Sequence, residues 1–159
     1  MLKNISGSRA IRAGGSIAIV ASEYNPEFVD GMLQGASVEL RRAKVERVKI
    51  VRVPGAFEIP AVASFLARQQ PRWGAIICLG IILRGQTTHA QFIGQAVTDS
   101  LARIQVETQV PVIHEVLLLE NEDQARARCL NPKQNRGREA AITAVRMIGV
   151  MQALARKTG

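Results

Sequence analysis

The stretch Ala75–Leu83, AIICLGIIL, decides the fold, because it carries no charged side chain over its whole length. A strand with one wet face alternates apolar and polar residues. An unbroken apolar run reads instead as a central parallel strand buried on both faces. It is far shorter than the roughly 20 residues a membrane span needs, and Arg84-Gly85 ends it.

Working outward, residues 16–21 (SIAIVA) form a second apolar run that ends before Tyr24, Asn25 and Pro26, residues of loops and helix starts. Residues 45–53 (VERVKIVRV) alternate apolar and charged side chains, which predicts a strand at the sheet edge, stopped by Pro54-Gly55. A fourth strand is predicted over 110–119 (VPVIHEVLLL). Between the strands, apolar residues recur at helical spacing. They predict helices over 27–43, 59–70, from Thr88 as the capping residue through Ile104, a short one over 120–130, and a last one over 137–156. The order βαβαβα, then a strand and two helices, calls for a parallel sheet with helices on both faces and right-handed crossovers. This is a flavodoxin-like α/β three-layer sandwich with strand order 2-1-3-4. Its ligand crevice should open at the carboxyl ends of strands 1 and 3.

The chain of 159 residues, 47% of them hydrophobic, fits an arm over residues 1–15 followed by one domain over 16–159. The net charge of +8 favours anionic partners such as phosphorylated metabolites. With only 4% aromatic residues, the chain lacks the aromatic and basic interleaving of a single-strand nucleic-acid platform, and no specific nucleic-acid partner is expected. Cys78 and Cys129 lie far apart, with no Cys or His at metal-ligand spacing, so both read as reduced, structural residues and no metal is expected. The first 13 residues lack the long apolar segment of a secretory signal, which makes a soluble cytoplasmic protein without membrane partners the expectation.

The crevice rule points to the segments just after each strand. The richest is Arg84-Gly85-Gln86-Thr87-Thr88-His89: a glycine for an unusual turn, then hydroxyls and backbone N–H groups at a helix N-terminus, a plausible phosphate cradle. It matches neither a Walker loop nor a dinucleotide fingerprint. Histidine's ordinary near-neutral pKa makes His89 a natural proton carrier, and a capping or packed histidine is the other reading. His114, inside the fourth strand, reads as a satisfied structural histidine. Tyr24 is either a stacking platform or a packed aromatic. Glu58 and Glu139 are either site carboxylates or members of caps and ion pairs. Of two basic runs, the one over residues 41–52 reads as a solvated face. In the other, Asn135-Arg136-Gly137 precedes a helix and an Arg there can be aimed at an anion.

At these same segments the sequence resembles the lumazine synthases of the riboflavin pathway, from about Ile17 to Leu154. Three ordered motifs carry the resemblance: Pro54-Gly55-Ala56-Phe57-Glu58-Ile59-Pro60, Leu83-Arg84-Gly85-Gln86-Thr87-Thr88-His89 and Asn135-Arg136-Gly137-Arg138-Glu139-Ala140-Ala141. The resemblance implies condensation of 5-amino-6-ribitylaminouracil with 3,4-dihydroxy-2-butanone 4-phosphate, with loss of phosphate and water and no cofactor. It also implies the roles. Tyr24 would stack on the pyrimidine with Asn25 beside it; Ala56, Phe57 and Glu58 would border the ribityl chain; Ile81 and Leu83 would line the ring pocket. Gln86 and Thr87 would hold phosphate, joined by Arg128 from a neighbouring subunit. His89 would move protons, with Glu139 orienting its imidazole, and Arg136 would contact substrate. The implied assembly is a homo-oligomer, a pentamer or a shell of pentamers, with riboflavin synthase as a further partner.

Several positions depart from that pattern. Ala90 and Gln91 follow His89 where an aromatic and an acidic residue are common; His114-Glu115 replaces Phe-Gly; Arg136 replaces Lys. In the family, the position of His114 packs over the pyrimidine from the adjacent subunit. These departures and the +8 charge motivate a second reading, a catalytically weak homologue kept as a self-assembling shell or anion-binding scaffold.

Overall fold

The computed structural model describes residues 15–157, so all but the last residue of the expected arm lies outside the described residues. Four parallel strands, β1 (Ser16–Ser22), β2 (Arg47–Val53), β3 (Ala75–Leu83) and β4 (Val112–Leu119), form one sheet in the order 2-1-3-4. The bounds of β3 coincide with the apolar run, and its residues 75–82 are all buried. The alternating strand, β2, lies at the edge, largely exposed.

Because side chains alternate across a strand, the sheet divides the core in two. Ile17, Ile19, Ile77, Leu79 and Ile113 pack against α1 (Pro26–Arg42) and the last helix, α5 (Arg136–Lys157). Ala18, Val20, Ile76, Cys78 and Val116 pack against α2 (Ile59–Ala67) and α3 (His89–Thr108). The remaining helix, α4 (Glu122–Cys129), joins β4 to α5 on the first of these faces and inserts Ala125 and Cys129 there.

Three expectations are corrected. The second helix ends at Ala67, not at residue 70, since Pro71 disfavours helical backbone just before it. It is preceded by a 3₁₀ turn, Ala56–Glu58, that no apolar period announced. Thr88 precedes α3 but its side chain makes no capping bond; Thr87 Oγ1 accepts weakly from the His89 N–H instead, at 3.4 Å. The short helix starts two residues late, because Asn121 caps it through Oδ1, which accepts from the Gln124 N–H at 2.9 Å. Both cysteines are free and buried, and burial pushes both thiols up, Cys129 to about 12. No described helix is long and apolar enough to cross a membrane.

Candidate active site

A cavity of about 780 Å³ opens at the carboxyl ends of β1 and β3, where the topology reverses direction. Asn25 frames it. This residue takes the left-handed conformation at φ 57°, which Asn tolerates better than most residues, and its carbonyl accepts from the N–H groups of Phe28 and Val29 at the start of α1. Its side-chain amide donates to the Ile81 carbonyl at 3.1 Å, tying the loop after β1 to the end of β3. The neighbouring Tyr24 ring is 69% exposed and is held from the backbone, where its N–H donates to the Pro54 carbonyl.

On the β2 side, Gly55 permits a close closure: a β-carbon there would lie 2.8 Å from Glu58 Oε2 and 3.1 Å from the Tyr24 ring. The 3₁₀ turn then presents Phe57, 61% exposed, and Glu58 to the opening. The β3 side supplies Ile81, Ile82 and Leu83, then Gly85, Thr87 and His89, with Ala90 and Ile93 below on α3. A ring-sized apolar slot thus borders a loop of hydroxyl and backbone donors that ends in an exposed imidazole at the positive end of a helix.

Of the residues singled out in the sequence, Tyr24, Asn25, Ala56, Phe57, Glu58, Ile81, Leu83, Thr87 and His89 line this cavity. Gln86 lies in the same loop, exposed, outside the lining. Ile82, Ala90 and Ile93 also line the wall; Ile82 lies in the apolar run of β3 and Ile93 on the apolar period of α3, Ala90 stands out in sequence only as a departure from the family pattern, and the position of the opening marks all three as site.

His114, Arg128, Arg136 and Glu139 lie elsewhere in the chain. The His114 ring turns toward α3: its Nδ1 accepts from the Val116 N–H at 3.1 Å, and its Nε2 sits 2.8 Å from Thr98 Oγ1. The Thr98 hydroxyl donates to the Gly94 carbonyl, so Nε2–H is the donor to Thr98 and the ring is neutral. Burial lowers its pKa, in keeping with that tautomer. Arg128 is exposed on α4.

Arg136 and Glu139 begin α5, across the sheet from α3. There Arg136 donates through Nε and Nη2 to both oxygens of Glu115, at 3.0 and 3.1 Å, and through Nη1 to Glu139 at 2.6 Å. Burial pushes Glu115 up to about 7 against the downward pull of Arg136. Desolvation acts to lower the pKa of Arg136, but Glu115 and Glu139 outweigh it and leave it raised.

Asn135 fixes this corner; the sequence marks it as the first residue of the Asn135-Arg136-Gly137 segment but assigns its own side chain no role. It is buried; its amide donates to the carbonyls of Gly31 on α1 and Cys129 on α4, and its Oδ1 accepts from the Arg138 N–H. One side chain therefore sets α4, which carries Arg128, against α5, which carries Arg136 and Glu139.

The family model described as 6,7-dimethyl-8-ribityllumazine synthase matches residues 14–152. A relative from Caulobacter vibrioides, 6,7-dimethyl-8-ribityllumazine synthase 1, is 40% identical over 127 residues, covering 79% of this chain and 82% of the relative. Another from Kineococcus radiotolerans, a 6,7-dimethyl-8-ribityllumazine synthase, is 37% identical over 154 residues, covering 94% of each. With the match spanning the cavity, the α4–α5 corner and the whole sheet, the chain belongs to the 6,7-dimethyl-8-ribityllumazine synthase family.

Proposed function

We propose that the cavity catalyses the condensation of 5-amino-6-ribitylaminouracil with 3,4-dihydroxy-2-butanone 4-phosphate to 6,7-dimethyl-8-ribityllumazine, a transferase reaction of riboflavin biosynthesis. The observation that carries this reading is the junction of an apolar slot under two exposed aromatic rings with the Gly85–His89 loop. Tyr24 and Phe57 offer faces for the pyrimidine and its ribityl chain, bordered by Asn25, Ala56 and Glu58, while Ile81 and Leu83 exclude water beside the ring. Gln86 and Thr87 receive the phosphate on N–H and hydroxyl donors.

Attack of the amine on the ketone, loss of water to an imine, elimination of phosphate and ring closure each move a proton. The exposed imidazole of His89 beside the phosphate loop is placed to carry them. Much of the acceleration comes from holding two substrates in one slot, which removes a bimolecular entropy cost. Arg128, with Arg136, Glu139 and the region of His114, completes the site from the neighbouring subunit of a homo-oligomer, read as a pentamer or a shell of pentamers. That explains why these residues lie apart from the cavity of their own chain. The scaffold reading is less favoured, since both relatives carry the synthase name over most of their length. The protein is read as cytoplasmic, with riboflavin synthase as a further partner.

The test mixes the purified protein with both substrates and follows the lumazine chromophore against the uncatalysed background. Enhancement should fall by about tenfold or more in His89→Ala, positioning being retained while proton transfer is lost. A folded, assembled wild type no faster than background refutes the function; unchanged turnover in His89→Ala removes the histidine from the mechanism.

A further inference from the structure

We propose that Glu115 is a positioning residue for this reaction: by gripping the side edge of Arg136 at two points, it leaves the far nitrogen of the guanidinium to hold Glu139 in one place. The inference rests on the reading above, in which Glu139 serves the His89 imidazole of a neighbouring subunit. Glu115 belongs to β4 and is buried on the face that α4 and α5 cover, with a side chain only 8% exposed. Both of its oxygens are used, one on Nε and one on Nη2, and the remaining nitrogen, Nη1, reaches Glu139 one helical turn into α5. The charged groups that act on Glu115 are Arg136, which lowers its pKa, and Glu139, which raises it; Glu115 in turn helps to raise the buried Cys129 thiol on α4.

A planar guanidinium gripped along one edge has no rotational freedom left, which a single contact or a lysine ammonium does not achieve. Stability does not explain the arrangement, because a buried ion pair is often matched or bettered by apolar residues of the same volume. Orientation is what the two-point grip supplies, and its output is the fixed Glu139 carboxylate at the edge of α5. Glutamine at position 115 would destroy the grip while keeping the shape, since it offers one acceptor and turns an NH₂ donor toward the N–H donors of Arg136.

At a pH above 7, where Glu115 is ionised and both of its oxygens accept, the experiment measures steady-state lumazine formation by the full-length protein for wild type, Glu115→Gln, Glu115→Asp, Arg136→Lys and the double variant Glu115→Gln/Arg136→Lys. Glu115→Gln should lower kcat about tenfold while each KM moves less than about threefold, the split expected when an interaction of the reacting complex is lost rather than substrate binding. Glu115→Asp, which keeps the carboxylate, should recover part of kcat. In the Arg136→Lys background the two-point grip is already gone, so adding Glu115→Gln should change kcat by less than about twofold. Unchanged kcat in Glu115→Gln overturns the proposal. So does an equal, multiplicative loss in both backgrounds, which would mean Glu115 acts without Arg136. A wild type no faster than background overturns the proposed function and this role with it, whereas an active wild type with a silent Glu115→Gln overturns this role alone.

Discussion

Replacing Gly137 by alanine separates helix propensity from tertiary packing, because the two predict opposite signs. Gly137 is the second residue of α5, and alanine in a helix is favoured over glycine by up to about 1 kcal/mol. A β-carbon at 137, however, would lie 1.9 Å from the Met32 carbonyl oxygen, 2.5 Å from its carbon and 2.7 Å from Met32 Cα. Ordinary contact begins at 3.4 Å, and the obstacle is α1 backbone, which cannot rotate aside. The start of α5 would have to retreat from α1 by more than an ångström, against the bonds Asn135 makes to Gly31 and Cys129. Overpacking of this kind costs roughly 1–3 kcal/mol, and backbone against backbone puts it at the upper end, about 3 kcal/mol. For a domain of this size that is a fall of about 6–12 °C in Tm. Gly94→Ala is the control: in the middle of α3 its β-carbon would meet nothing nearer than Leu118 at 3.7 Å. It should gain up to about 1 kcal/mol, or roughly 2–4 °C. Thermal unfolding by far-UV circular dichroism, at matched protein concentration, reads both. A Gly137→Ala protein that melts at or above wild type refutes the packing argument.

Asn135→Asp should melt at least as far below wild type as Asn135→Ala, although aspartate is as good a helix cap as asparagine in general, because here the amide must donate to two carbonyls. The expected loss is about 2–4 kcal/mol, and an Asp variant as stable as wild type would show that only the capping oxygen matters. For Glu115, whose carboxyl is raised from 4.5 to about 7, the native state keeps a proton that the unfolded chain has already released between those values. Its contribution is therefore complete below 4.5 and is lost as pH rises through about 7, by an amount on the order of 3 kcal/mol. Denaturant midpoints across that window should show the fall in wild type and not in Glu115→Gln; parallel profiles would refute the assignment.

Much of the cavity wall was legible because the ends of parallel strands are marked by local chemistry. A continuous apolar run located β3, alternation put β2 at the edge, and the segments after β1, β2 and β3 that these runs delimit do come together. The 3₁₀ turn at Ala56–Glu58 was not legible, since three residues carry no period and the conformation depends on how Gly55 packs under Tyr24. Thr88 looked like a cap by residue type, yet the bond comes from Thr87, a difference set by the backbone path of the loop.

The central place of β3, the edge place of β2 and the two faces of the core follow from hydrophobic patterning, because burial on one or both faces of a strand leaves a local imprint in the chain; the full strand order and the place of the opening follow from the likeness of the element order to flavodoxin-type folds. The corner of α1, α4 and α5 does not. The sequence marks Arg136 and Glu139 as candidate site residues, but nothing local pairs them with Glu115 or sends the Asn135 amide to α1 and α4, and Gly31 and Gly137 look like helix-weakening glycines. Their meaning arises where distant segments approach within a few ångströms: Asn135 reaches a carbonyl 104 residues away, and Arg136 reaches a carboxylate 21 residues away. Such contacts depend on relative position in space and not on neighbours along the chain, so only the tertiary structure decides them.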